Sequence, residues 1–246
     1  MTMFKAILFD LDGTLLAIDN AQFVHTYFRS MASRIGPLFG GRDYTQPIMA
    51  GTDAMIHSQG HHASLRELFI EVFDQTSPVP FAVAEPTFTE FYHHEFNQMS
   101  AISKPYQQAM PILRAASRVT HNIVLATVPL FPLIAIQARC RWAGIDAFPF
   151  TLITSFENMR HSKPNPAYYL EIADRIKVSA SDCLMVGNDH IDDLSAAAAG
   201  METYLVLDDP LNAGKSPYTP TYSGTLDDLL IFLQRLSDDR AISRSA

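Results

Sequence analysis

Cysteine is nearly absent from this chain: Cys140 and Cys183 are the only two in 246 residues, too few for a disulfide framework. They stand far apart within apolar runs and lack metal-ligand spacing, so they read as buried free thiols of a reducing compartment. A membrane-spanning run is missing too. The longest apolar stretch, residues 123–136, is short and carries Pro129 and Pro132. The N-terminus has no apolar region followed by a cleavage site, and the expectation is a soluble cytoplasmic protein. Cations are scarce: Lys and Arg number 18 against 26 Asp and Glu, giving a net charge of −8, and no lysine lies between Lys5 and Lys104. That balance argues against nucleic acid or an anionic membrane as partner. Any anionic ligand would have to be held by a few local cations. Internal repeats and low-complexity tracts are also lacking.

What is present is a globular composition, 48% hydrophobic and 18% charged, long enough for a substantial core. The chain is organised around KAILFDLDGTLL, residues 5–16. Its apolar run predicts a buried strand that ends on Asp10 and Asp12, followed by Gly13 and Thr14. In an open α/β sheet the crevice outside the strand ends is where ligands bind. Two carboxylates there repel each other unless a cation lies between them, and a hard ion such as Mg²⁺ suits oxygen donors. One carboxylate can then attack phosphorus while the other moves protons. The competing reading is a solvated turn, since Asp and Gly are common in turns.

Residues 17 to about 108 carry helical patterns, roughly 19–35, 45–58, 63–75 and 85–99, with Asp19 as N-cap of the first and Pro86 near the start of the last. GPLFGG at 36–41 and SPVP at 77–80 separate them. From about 110 strand and helix alternate: a helix opened by Pro111, a strand at 122–127, a helix at 131–143, a short strand at 150–154 and a helix from Pro166 to about Lys177. A strand at 182–187, an alanine-rich helix to Gly200, a strand at 202–207 and a helix at 225–236 follow, with a frayed tail from Ser237. This order predicts a doubly wound parallel sheet, interrupted after its first strand by an all-helical insertion. The expected domains are 1–16 with 109–246 as the α/β core, and 17–108 as the insertion.

Strand ends and loops offer polar groups in chain order: Asp10 and Asp12, Thr127, Lys163, then Asn188, Asp189, Asp192 and Asp193. A parallel sheet would bring them to one crevice. Thr127 can donate to a phosphate oxygen, Lys163 can neutralise the transferring group, and the acidic stretch can complete a metal's oxygen shell.

FDLDGT, the Thr of VLATV, the Lys of HSKPNPAYY and VGNDHIDD resemble the four motifs of the haloacid dehalogenase-like (HAD) hydrolases, with the helical block where that superfamily carries a C1 cap. The resemblance implies a Mg²⁺-dependent phosphatase acting on a small phosphorylated metabolite. Asp10 would be the nucleophile that forms an aspartyl-phosphate, and Asp12 the acid and then base. Thr127 and Lys163 would bind the phosphoryl group, with Lys163 also steadying Asp10. Mg²⁺ would sit between Asp10, the main-chain carbonyl of Asp12 and the fourth motif.

Two positions depart from the pattern. Val128 stands where a polar residue often follows the Thr, and Asn188 stands where Asp usually follows the Gly. Asn188 or Asp189 would be the direct ligand, Asp189 being favoured as an anion, with Asp193 within reach and Asp192 turned to solvent or capping a helix. The second carboxylate, Asp12, favours phosphoryl chemistry over dehalogenation, and the lack of any lysine between residues 16 and 103, with Lys104 at the insertion's exit, argues against a Schiff-base mechanism. A sugar phosphomutase would need insertion cations for a second anion, the candidates being Arg29, Arg34, Arg42 and Arg66. A non-catalytic phospho-ligand binder is a further alternative. Arg42 and Thr52 are candidate substrate contacts, against the plainer reading of both as surface residues.

Overall fold

The computed structural model describes residues 4–245, and side chains as far as residue 239. Six strands form one fully parallel sheet: β1 (Ala6–Phe9), β4 (Asn122–Leu125), β5 (Leu152–Ile153), β6 (Cys183–Gly187), β7 (Glu202–Val206) and β8 (Tyr222–Gly224). Their order across the sheet is β5-β4-β1-β6-β7-β8. The central strands are apolar at nearly every position because both faces are covered. Ala6, Leu8, Val124 and Met185 enter one core, which continues into the aromatic side chains of residues 23–96 and Tyr168, Tyr169 and Ile172. Ile7, Phe9, Leu125, Leu184 and Val186 enter the other. There they meet α6 (Ala109–Val119), α7 (Leu133–Trp142) and α9 (Leu226–Ser245). The period-2 alternation of a strand thus sends successive residues of β1 to opposite cores.

From β1 the chain moves to β4 and β5 on one side, then crosses to β6, β7 and β8 on the other. The switch point of this doubly wound fold lies between β1 and β6, where a crevice opens at the strands' C-terminal ends. Phe9 pairs with Val186 and Leu125, so the residues after β1, β4 and β6 emerge side by side.

The helical block runs through α1 (Asn20–Arg34), α2 (Thr45–Ile56), α3 (Leu65–Thr76), α4 (Phe81–His93) and the single turn α5 (Glu95–Gln98). Asp19 caps α1 by accepting from the Gln22 amide at 2.8 Å, and Ser64 caps α3 through the Glu67 amide. An antiparallel ribbon carries the chain in and out, β2 (Leu16–Ile18) pairing with β3 (Ser103–Pro105).

The structure departs from the sequence reading in several places. The helix expected at 85–99 starts at Phe81 and ends at His93, with Pro86 inside it. Ala82, the residue whose carbonyl Pro86 leaves without an amide, is exposed. The alanine-rich segment is a tight 3₁₀ turn over Leu194–Ala199, stopped by Gly200 at φ 86°. α8 (Pro166–Ile176) is capped by Asn165 as its Pro predicts. α9 continues to Ser245, through the tail expected to fray. β2, β3 and β8 were not expected. Cys140 and Cys183 are free and buried. No described helix is long and apolar enough to cross a membrane.

Candidate active site

Asp10 leaves β1 at the switch point, where its amide donates to Val186 O at 2.9 Å. Its carboxylate is 9% exposed, and Oδ1 accepts from Lys163 Nζ at 2.8 Å. The same ammonium reaches Asp193 Oδ1 at 2.7 Å. Lys163 lies on the loop before α8, 153 positions from Asp10. Burial works against its charge, but Asp10 and Asp193 outweigh it and hold the ammonium well above its usual range. Asp10 Oδ2 accepts no hydrogen bond among the described residues and remains available to a ligand in the cleft.

Asp12 follows two residues on. Arg139 of α7 donates through Nη1 to its Oδ2, and this arginine is almost wholly buried, under the rings of Phe131 and Phe23. Burial pushes the Asp12 carboxyl above its ordinary value, Arg139 pulls it back, and the charge of Asp10 adds to the rise. Sequence reasoning did not find Arg139. One basic residue in the apolar run LIAIQARC was the available signal.

Thr127 is buried just beyond β4 and lines the same cleft. Its carbonyl is fixed by Thr154 Oγ1 at 2.9 Å and the Tyr168 hydroxyl at 2.8 Å, and its own hydroxyl has no partner among the described residues. Val128 lines the cleft beside it.

The loop after β6 is densely wired. Asn188 accepts from Thr14 Oγ1 at 3.1 Å and donates to Asp209 O at 2.6 Å, so both ends of its amide are occupied. Asp189 accepts from the amides of Ile191 and Asp192, and from Asn212 Nδ2 at 2.9 and 3.1 Å. Asp193 Oδ2 accepts from the Asp189 amide, and burial raises its carboxyl to about 7 despite Lys163. Asp192 is not turned away to solvent: it lines the cleft, and burial, with help from the charges of Asp189 and Asp10, lifts it to about 6.

Asp10, Asp12, Thr127, Asn188, Asp189 and Asp193 therefore line one cleft of about 180 Å³, with Lys163 hydrogen-bonded to two of them. The other two candidates are elsewhere. Arg42 is exposed and lines neither this cleft nor its neighbour. Thr52 lines the neighbouring cavity and donates its hydroxyl to Ile48 O at 2.8 Å.

The donors suit a hard cation, being carboxylate and carbonyl oxygens; burial is the main cause of the raised Asp192 and Asp193, and the nearby charge of Asp10 adds to it. Among the described residues no group of three or more acidic, histidine or cysteine side chains is placed to hold a metal ion by itself. Mg²⁺ needs only one or two protein carboxylates, with substrate oxygens and water filling the rest of its shell.

Carboxylates at the switch point of a doubly wound sheet, one of them held by a buried lysine, define an enzyme active site. A profile of the haloacid dehalogenase-like hydrolases matches residues 4–200, and the chain belongs to that family. Over 222 residues it is 27% identical to the phosphoglycolate phosphatase of Xanthomonas campestris pv. campestris (strain 8004), covering 85% of this chain and 88% of the relative. The fold is similar to the 2-haloacid dehalogenase of Pseudomonas syringae pv. tomato DC3000, with TM-score 0.62, 21% identity, and 95% and 99% of the two chains covered. It is similar also to a HAD phosphatase from Thermococcus onnurineus, with TM-score 0.57, 18% identity and coverage of 93% and 97%.

Proposed function

We propose that the protein is a Mg²⁺-dependent phosphatase that hydrolyses a phosphomonoester through an aspartyl-phosphate on Asp10. The observation that carries this reading is the pairing of Lys163 with one oxygen of Asp10, which leaves the other oxygen facing the cleft two residues from a carboxyl held above its usual value. Oδ2 of Asp10 attacks phosphorus, and the bond from phosphorus to the ester oxygen breaks. The departing alcohol takes a proton from Asp12, whose Oδ1 is free of protein partners. Asp12 then removes a proton from water, which attacks the aspartyl-phosphate and releases inorganic phosphate. Thr127 and Lys163 bind the phosphoryl oxygens throughout. Asp10, the Asp12 carbonyl and a carboxylate of the loop carrying Asp189 and Asp193 would hold Mg²⁺, which would supply neutralisation of the negative charge in the cleft.

Residues 17–108 act as a cap over residues 1–16 and 109–246, entering and leaving along the β2–β3 ribbon. The phosphatase name of the Xanthomonas relative supports the chemistry, as does Asp12, which dehalogenation does not require. A sugar phosphomutase is less well supported: Arg34 and Arg66 are paired with Glu95 and Glu85, and Arg29 and Arg42 are exposed.

The test is release of phosphate from phenyl phosphate with Mg²⁺, for the natural protein and for Asp10→Asn. Turnover is expected to fall to background in the variant and on adding EDTA. Turnover that survives Asp10→Asn overturns the assignment. Binding of phosphate esters without any release by the natural protein points to a non-catalytic phospho-ligand binder.

A further inference from the structure

Beside the carboxylate cleft lies a larger cavity of about 350 Å³. The two share Phe23, Val24, Leu130 and Phe131, so a molecule whose phosphate reached Asp10 would extend past the Phe131 ring into the second space. An apolar cavity of about 150 Å³ holds benzene. This one has room for a fused pair of rings or a chain of similar bulk, within the usual size range of small-molecule sites.

The walls are mainly apolar and nine of the twenty lining residues are aromatic, with Phe69, Phe81 and Phe88 of the helical block among them. Their polar groups are already satisfied. The hydroxyls of Tyr27 and Tyr92 bond each other at 2.7 Å. Arg66 is paired with Glu85, and Glu157 accepts the Leu133 amide. These side chains bring two carboxylates and one guanidinium, a balance that repels an acidic leaving group. At the junction Arg139 is committed to Asp12, so no lining cation is left unpaired for a second anion.

We infer that the substrate is the monophosphate of a neutral, largely apolar or aromatic alcohol, its hydrocarbon body held in this cavity. The inference rests on the phosphatase reading and narrows it. It separates this chain from a phosphatase of a small carboxylic acid, because a carboxylate in the cavity would meet Glu85 and Glu157 without an unpaired counter-charge.

The experiment measures kcat/KM for ethyl, butyl and hexyl phosphate, whose alcohols are of similar acidity, and for phosphoglycolate. Each buried methylene is expected to raise kcat/KM roughly fourfold, so hexyl phosphate should exceed ethyl phosphate roughly a hundredfold or more, with phosphoglycolate below both. Thr89→Trp and Met49→Lys alter exposed positions at the cavity rim and should each narrow the hexyl-to-ethyl ratio about tenfold or more. Binding of hexylphosphonate and ethylphosphonate, measured by calorimetry, separates the two levels of the argument. Hydrolysis with a flat gradient, or with phosphoglycolate preferred, overturns the inference and leaves the phosphatase reading standing. No hydrolysis of any ester, with hexylphosphonate still bound the tighter, overturns the phosphatase reading and upholds the cavity's apolar selectivity. Equal affinity for the two phosphonates overturns the inference in either case.

Discussion

Arg139 donates to Asp12 from inside the protein, its side chain only 2% exposed while that of Asp12 is 22% exposed. Removing one partner of such a pair leaves the other's charge without compensation, which costs more than the pair itself contributes. Arg139→Met is therefore expected to lower stability by about 3 kcal/mol. Asp12→Asn combined with Arg139→Met should recover part of that loss, because no charge is then stranded. Urea denaturation of the two single variants and the double checks this. Strictly additive losses would mean that the pair is not coupled.

The Asp10 carboxylate was legible because its signal is local: an apolar strand running straight into DLDGT, with β6 repeating the same transition into NDHIDD. Arg139 was not legible. Its pairing with Asp12 spans 127 positions, and its place in the apolar run LIAIQARC, the one local signal, hints at burial without naming a partner. β2, β3 and β8 escaped for a different reason. Each is three residues long, too short for an alternating pattern to stand out. The helical block showed its periodicity but not which faces turn inward, so the aromatic cavity needed the fold to be seen.

Lys163 sits between two carboxylates that would otherwise face each other, Asp10 at 2.8 Å and Asp193 at 2.7 Å. Lys163→Met should cost about 3–5 kcal/mol of stability and lower phosphatase turnover at least about a thousandfold, since phosphoryl charge then goes unneutralised. Lys163→Met with Asp193→Asn is expected to regain much of the stability and none of the turnover. Denaturation midpoints and phosphate release, measured on the same samples, separate the two roles. Recovery of both together would place Lys163 outside the chemistry.

Glu171 of α8 holds the approach to Lys163 in place. Its carboxylate, 4% exposed, accepts from the Arg160 amide, from His161 Nδ1 at 3.0 Å and from Arg175 Nη2 at 2.9 Å. Burial tends to raise its carboxyl, but the bonds from Arg175, His161 and Arg160 outweigh burial and hold it below the ordinary 4.5. A carboxyl depressed on folding contributes stability that is fully present above its unfolded value and fades as pH falls through its folded value. Glu171→Gln should thus be less stable than the natural protein by roughly 2–3 kcal/mol at pH 7. The gap should narrow as pH is lowered below about 4.5. Thermal melts from pH 7 down to pH 3 give the measurement, and a gap that widens toward acid would reverse the assigned sign.

Gly13 turns the chain away from Asp12 at φ 84°, and the Asn188 side chain fills the space where a Cβ would stand, its Nδ2 lying 2.1 Å from that point. Two costs therefore attach to Gly13→Ala. The left-handed backbone alone disfavours alanine by roughly 1–2 kcal/mol, and the collision drives Asn188 off Thr14 and the Asp209 carbonyl, adding roughly 2 kcal/mol for the two lost bonds. The second cost acts on function, because Asn188 ties β6 to the turn that carries Asp10 and Asp12. Gly13→Ala should lower turnover at least about tenfold as well as stability. Asn188→Ala with Gly13→Ala removes the clash while keeping the backbone strain. If the close approach is what matters, Gly13→Ala should cost distinctly less stability in the Asn188→Ala background than in the natural protein. An undiminished cost in that background would show that φ alone accounts for the glycine.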